Sequence, residues 1–378
     1  MKGKFFTLLR QDVSNIAARW ALLRALFCYL FLVTGVSMAK PVTPTPNTVV
    51  ANWPAQLNDA NSTASLSNVM WHIKQGQYPG NANLHYSLAQ SMMARVPQEQ
   101  LDPMLSHYLQ ARLLQYQHRF AEAQDHLDRL LSISPRHING LLLKANLHLV
   151  KNQIEQALDT CKQLVGVADL MLATACNLEA ASYQPQKLQA SYQVLSSLLK
   201  TRGLASNGKS SNDDIETQAW LKQIAADMAI RLDRIDEAET WISAENLAQQ
   251  PLSYVVLWAD IQQRLGNYNA ILEQLGSIVE QSEFKDDSLL IRLAMAEKAH
   301  YKPQSSGKWQ SLAQQRIQLR VARNDDFHAA DIARYYLYVD LQPEQALFWA
   351  RNNFAHAKLF DDKQLLEYAQ SFLVQQEI

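Results

Sequence analysis

The chain has 378 residues, 35 Lys+Arg against 36 Asp+Glu, and a formal net charge of −1. Only 11 Gly and 12 Pro mark a helical protein rather than a turn-rich β one. No basic stripe runs along the sequence, which disfavours binding to nucleic acid, where clustered Lys and Arg must neutralise phosphates.

The start of the chain reads as an address. Lys2, Lys4, Arg10, Arg19 and Arg24 precede the apolar run Ala25 to Val36, and Ser37-Met38-Ala39 follows it. Small residues at Ser37 and Ala39 suit a signal peptidase, so residues 1–39 are expected to be a signal peptide cut after Ala39. Twelve apolar residues fall short of the roughly 20 that a membrane-crossing helix needs. The other reading is an uncleaved anchor that recruits Trp20 to Leu23. Both place the body of the chain outside the cytoplasm, in the periplasm or another exported location. Cys28 follows the bulky Phe27 and lies within the apolar run, which does not make a lipoprotein signal. Without residues 1–39 the chain keeps 30 basic and 35 acidic residues. Residues 40–65, rich in Pro, Thr and Asn, read as a flexible lead-in.

Apolar residues then recur at spacings of three and four, the stripe of a buried helix. Ala111 and Leu114 share one helix; Phe120, Ala123, Leu127 and Leu130 share a second, which stops before Pro135. Ala145, Ile154, Ala157 and Leu164 stand 34 residues after Ala111, Phe120, Ala123 and Leu130. These marks resemble a tetratricopeptide repeat, a helix–turn–helix with small residues where its helices cross. A third, looser copy uses Leu188, Leu195 and Leu198 and has Glu179 where a small residue is expected. Beyond it, Ala226, Ile235 and Ala238 form one copy, and Ala259, Gly266 and Tyr268 another. A last hairpin turns at Gln342-Pro343. Residues 287–330 read as helical without repeat marks. The layout is similar to that of exported bacterial tetratricopeptide proteins of unassigned activity.

The expected fold is an all-α, tetratricopeptide-like solenoid in two blocks, residues 66–200 and 217–378, joined by a polar linker at 201–216. That linker contains "GLASNGKS" (Gly203 to Ser210), a formal match to the phosphate-binding P-loop G-x-x-x-x-G-K-[ST]. A working P-loop follows a strand and opens a helix. Here Leu188, Tyr192, Leu195, Leu198 and Leu199 keep helical spacing before the motif. Asp213, Asp214 and Glu216 follow it, where they would repel phosphate. "YLYVD" (Tyr336 to Asp340) imitates the companion Mg²⁺-binding strand inside a helical repeat. No nucleotide and no other cofactor is expected.

Cys161 and Cys176 fall on the second helix of one repeat and the first helix of the next, with the turn Val165 to Asp169 between them. An oxidising compartment favours a disulfide there; the alternative is two buried thiols. A redox-active C-x-x-C pair is absent. His118, His126 and His137 form the best local histidine cluster, but a repeat turn between the first two argues for structural or solvated roles, and no metal is expected. Asp213–Asp214 and Asp325–Asp326 read as turn formers rather than paired catalytic carboxylates. An enzyme is therefore not expected.

The resemblance implies recognition: first helices line a concave groove. Tyr108, Arg112, Asn139, Asn146, Asp227, Asp260 and Gln263 are the groove candidates, suited to an extended peptide of an envelope protein. Arg112 is the one cation among them, so capture of a C-terminal carboxylate is not expected. Trp349, Phe348 and Phe354 are assigned to the core of the last hairpin. A membrane-associated envelope assembly factor and a cell-wall enzyme are the alternative readings.

Overall fold

The computed structural model describes residues 64–202, 215–243, 245–300 and 307–376. The signal segment, most of the lead-in and the P-loop-like octapeptide therefore lie outside the described residues. Every regular element among the described residues is helical. The helices pair as antiparallel hairpins: α1 (Leu66–Gln75) with α2 (Ala82–Met93), α3 (Pro103–Tyr116) with α4 (Phe120–Ile133), and α5 (Ile138–Val150) with α6 (Ile154–Lys162). Next come α7 (Leu170–Ser182) with α8 (Pro185–Thr201), and α9 (Ile215–Arg231) with α10 (Ile235–Trp241). Helix α11 (Leu252–Leu265) pairs with α12, which runs through Tyr268–Ala270, a π turn at Ile271–Leu275 and Gly276–Gln281. Helix α13 (Asp287–His300) pairs with α14 (Lys308–Ala322), α15 (Ala329–Tyr338) with α16 (Pro343–His356), and α17 (Phe360–Gln376) packs on the last pair.

Local chemistry sets these boundaries. Asp102 caps α3 by accepting the Leu105 N–H at 2.7 Å, and Pro103 occupies the first helical turn, where its missing N–H costs nothing. Asp169 does the same for α7, accepting from Met171 N at 2.8 Å. Gly266 ends α11 at φ 74°, a left-handed conformation that glycine adopts without strain. Small residues then let the helices approach: Ala111, Ala123, Ala145 and Ala157 are all buried.

The third copy shifts by one residue. Ala180, not Glu179, is the buried small residue of α7, and Leu199, not Leu198, is fully buried on α8; Leu198 is 38% exposed. The connection between α6 and α7 covers residues 163–169, against 134–137 between α4 and α5, and the buried positions move from a 34-residue to a 35-residue spacing. The segment without repeat marks is also a hairpin. Ala294 and Ala313 are its buried small residues, standing nineteen positions apart rather than twelve because a longer connection separates α13 from α14.

One apolar core runs without interruption from Met171, Tyr192, Leu195 and Leu199 through Trp241, Trp258 and Ile291 to Leu365 and Ala369. Trp241 Nε1 donates to Tyr192 OH at 3.2 Å, and that hydroxyl donates to Glu237 Oε2 at 2.6 Å, joining α8 to α10. Trp349 is core as expected, whereas Phe348 is 53% exposed on the outer side of α16. Aromatic content alone did not show which face of α16 each ring occupies.

First helices stack on first helices: α7 on α9, α9 on α11, α11 on α13, α13 on α15 and α15 on α17. The winding is tight enough that early turns meet late loops along a seam. The Leu252 N–H donates to Gln77 O at 2.7 Å, the Gly80 N–H to Asp286 Oδ2 at 2.6 Å, and the Lys358 N–H to Val150 O at 2.8 Å. The concave face keeps a cavity that is partly open to solvent.

Candidate functional site

The cavity, about 310 Å³, is lined by Asp227 of α9, Val256 and Asp260 of α11, Ser288 and Arg292 of α13, and Asp331 and Arg334 of α15. Tyr183, in the α7–α8 turn, and residues 359–362, at the start of α17, complete it. Stacking of first helices brings these positions together: each hairpin contributes one or two polar residues at the same height on its inner face.

Most of the charges are paired. Arg292, whose side chain is 4% exposed, grips Asp260 with two hydrogen bonds of 2.7 Å, donates to Ser288 O at 2.9 Å and lies 3.6 Å from Asp331. Such a fork-to-carboxylate geometry offsets the cost of burying the ions. Arg231 binds Asp227 at 2.9 Å and Ser182 O at 3.1 Å, with its guanidinium carbon 4.3 Å from the centre of the Tyr183 ring. Asp362 accepts from Asn353 Nδ2 at 2.7 Å and from Leu359 N at 2.9 Å, and Arg264 reaches Asp361 at 3.6 Å.

Arg334 is the exception. Among the described residues it makes no hydrogen bond and no ion pair, although it lines the cavity and is only partly exposed. Carboxyl groups in and beside the cavity are held above their ordinary range. Burial, reinforced by Asp227, pushes Glu179 up to about 8; burial also raises Asp227 against the pull of Arg231, and raises Asp362. A partly enclosed site makes a matched charge on a guest count for more than it would on an open surface.

All seven sequence-derived candidates lie on first helices, but the structure does not gather them into one site. Asp227 and Asp260 line the cavity. Arg112 instead donates to Tyr108 OH at 3.1 Å, beside the stacked rings of Tyr86 and Tyr116. Asn146 accepts from Gln115 at 3.3 Å, Asn139 is exposed at the start of α5, and the buried Oε1 of Gln263 has no hydrogen-bond partner. Sequence reading missed Arg292, Asp331 and Arg334 because the segment carrying the first showed no repeat marks. It missed Tyr183 and residues 359–362 because only the tight winding brings turns into the interior.

The remaining motifs resolve into structure. Cys161 and Cys176 form a buried disulfide, with Cα atoms 5.6 Å apart, between α6 and α7. His118 sits in the α3–α4 turn at φ 56°, His126 pairs with His107 through Nδ1 atoms 3.0 Å apart, and His137 caps α5 by accepting from Gly140 N at 2.9 Å. Among the described residues no group of three or more His, Cys, Asp or Glu is placed to hold a metal. Helix α8, not a strand, precedes the P-loop-like stretch, and Tyr336 to Tyr338 belong to α15. Asp325 accepts from Arg320 and lies 3.2 Å from His328. No helix among the described residues is long and apolar enough to cross a membrane.

No protein-family model matches the chain, and no curated protein matches it. Among solved structures, a tetratricopeptide repeat protein from Parabacteroides merdae is 15% identical, with 80% of this chain and 99% of that chain aligned at a TM-score of 0.34. The TPR domain of P58(IPK) is 13% identical over 82% of this chain and 99% of that chain, at a TM-score of 0.22. With its antiparallel pairs, buried small crossing residues and stacked first helices, the chain is an all-α solenoid of tetratricopeptide-like hairpins.

Proposed function

We propose that this protein is a non-catalytic scaffold that takes a segment of a partner protein into its interior cavity. The observation that carries this reading is Arg334, a cavity guanidinium with no hydrogen bond or ion pair of its own, whose charge acts on Asp362 only at a distance. A charge left in that setting is an anchor waiting for a counter-charge. The cavity offers no nucleophile activated by a base: its one hydroxyl besides Tyr183 is Ser288, with no histidine in the lining.

We place the partner in the bacterial cell envelope. The basic start and apolar run of residues 1–39 support export, and the Cys161–Cys176 bond suits an oxidising compartment. Amino-terminal sequencing of the protein from fractionated cells tests the address: a mature chain beginning at Lys40 is expected, and a full-length cytoplasmic chain contradicts it. Affinity capture after envelope crosslinking tests the binding. Arg334→Glu is expected to remove a partner that the unaltered protein retains; equal recovery with both proteins contradicts a role for the cavity.

A further inference from the structure

Antiparallel pairing puts the ends of α4, α6 and α8 and the starts of α5 and α7 along a single edge of the stack. In the later hairpins the corresponding edge is taken up by the seam. There the start of α11 and the α12–α13 and α16–α17 turns meet the α1–α2 turn and the end of α5. On the early stretch, apolar side chains face water instead. Val165 is 64% and Leu170 73% exposed, and Ile133 and Leu198 are exposed on either side of them. Arg136 Nη2 donates to Gly166 O at 2.9 Å, and Arg202 lies 3.6 Å from Asp169. The ends of α4 and α8 therefore flank the α6–α7 connection, and the four side chains form one strip. A single exposed leucine is commonplace, whereas a strip of neighbours marks an interaction surface.

The charge around the strip has one sign. Its acids are matched: Asp159 with Lys162 at 2.8 Å, Asp169 with Arg202 at 3.6 Å, and Asp128, further back on α4, with Lys144 at 2.6 Å. Arg129, Arg136 and Lys200 are exposed and make no ion pair among the described residues. Apolar tips flanked by surplus cations complement an anionic lipid surface, whose phosphates take the cations and whose acyl boundary takes the aliphatic groups. A protein partner would call for a pocket to seat an anchor, and this strip lies on the tips of turns. We propose that this edge rests on an anionic membrane surface, with Val165 and Leu170 entering the headgroup boundary and Arg136 and Lys200 against phosphates. None of these residues lines the cavity, so lipid contact here and a partner in the cavity stand or fall separately.

The test places an environment-sensitive fluorescent residue in the full chain, at position 165 or, at the start of α8 on the opposite edge, at position 186. Vesicles of phosphatidylcholine and phosphatidylglycerol in equal parts are expected to shift the emission to the blue at 165 and not at 186. Phosphatidylcholine alone is expected to give a weaker shift at 165. Read through that emission, Lys200→Gln should weaken binding to the mixed vesicles about fivefold, the scale of one cation near an anionic surface. Leu170→Asp should weaken it about tenfold or more, the scale of one buried leucine. Lys200 and Leu170 are exposed, and unchanged helicity confirms that each variant is folded. Reading at position 165 reports on this edge whatever the amino-terminal segment does. No shift at 165, an equal shift at both positions, or a shift untouched by Leu170→Asp overturns the proposal. A shift that appears without vesicles and grows with protein concentration would make the edge an interface between copies, and also overturns it.

Discussion

Asp286 accepts the main-chain N–H of Gly80 at 2.6 Å, a contact between residues 206 positions apart that ties the first hairpin to the α12–α13 turn. Gly80 has φ 76°, and a Cβ there would lie 2.6 Å from Ser282 Oγ and 2.7 Å from Ser282 Cβ. Both the backbone conformation and the space demand glycine. Burial pushes Asp286 up to about 6, against the Gly80 hydrogen bond that holds it down.

Gly80→Ala is therefore expected to destabilise the seam by about 1–3 kcal/mol, the range for a strained left-handed residue with an added clash. Hydrogen exchange provides the check. The Leu252 amide, bonded to Gln77 O, should exchange faster in the variant while amides of the central core keep their protection. Unchanged exchange at Leu252 would show that the seam does not depend on this turn.

The Cys161–Cys176 bond closes a loop with a sequence separation of 15 at the joint between α6 and α7. The chain-entropy model gives such a loop about 3 kcal/mol. Denaturant melts with and without reductant should differ by an amount of that order, and Cys161→Ala with Cys176→Ala should match the reduced protein. Two free thiols in protein isolated from its own compartment would remove the disulfide from the account.

Glu179 holds its proton more tightly in the folded state, at about 8, because burial and Asp227 disfavour the carboxylate. Its contribution to stability is complete below the ordinary carboxylate range, falls as pH rises above that range, and is exhausted once pH passes about 8. Glu179→Gln removes the charge at nearly constant shape. The variant should melt on the order of 2–4 °C above the parent at pH 9 and alongside it at pH 4, using the size scaling for long chains. Parallel melting curves at both pH values would contradict a buried, disfavoured carboxylate.

The first two hairpins respond in the opposite sense. His72 and His85 approach at 2.8 Å through Nδ1, as His107 and His126 do at 3.0 Å. In each pair one ring must donate and the other accept, so both cannot be protonated. Burial lowers all four, helped by His85 at His72, by Arg129 at His107, and by His107 at His126. Their stabilisation is full above the ordinary histidine range and is lost as pH falls through the depressed folded values. Acidification from pH 7.5 to 5 should cost on the order of 1 kcal/mol, with exchange rising first in α1–α4. His85→Gln should flatten that dependence, and a pH slope unchanged by the substitution would exclude the first pair as its source.

The fold was legible in the sequence because the small residues of α3–α6 stand where helices cross, and crossing distance tolerates little else. The register failed at Glu179 because the α6–α7 connection differs in length from the α4–α5 one, and a shift of one position along a helix, about 100° of rotation, leaves no mark in composition. Ala294 and Ala313 were unreadable as a pair because the α13–α14 connection stretches their spacing. Of the cavity, Asp227 and Asp260 could be placed from repeat position alone. Tyr183 and Phe360 could not, since their convergence depends on how far the superhelix winds, which is summed over many crossings and encoded at no single residue.

The most direct measurement is photo-crosslinking in cells from Val256, inside the cavity, with Val194 on the exposed face of α8 as the reference position. One dominant protein attached through position 256 and absent from position 194, with the attachment abolished by Arg334→Glu, is the result predicted by a cavity that holds a partner segment. The same set of proteins from both positions, or attachment only at position 194, would place the working surface outside the cavity and contradict the account.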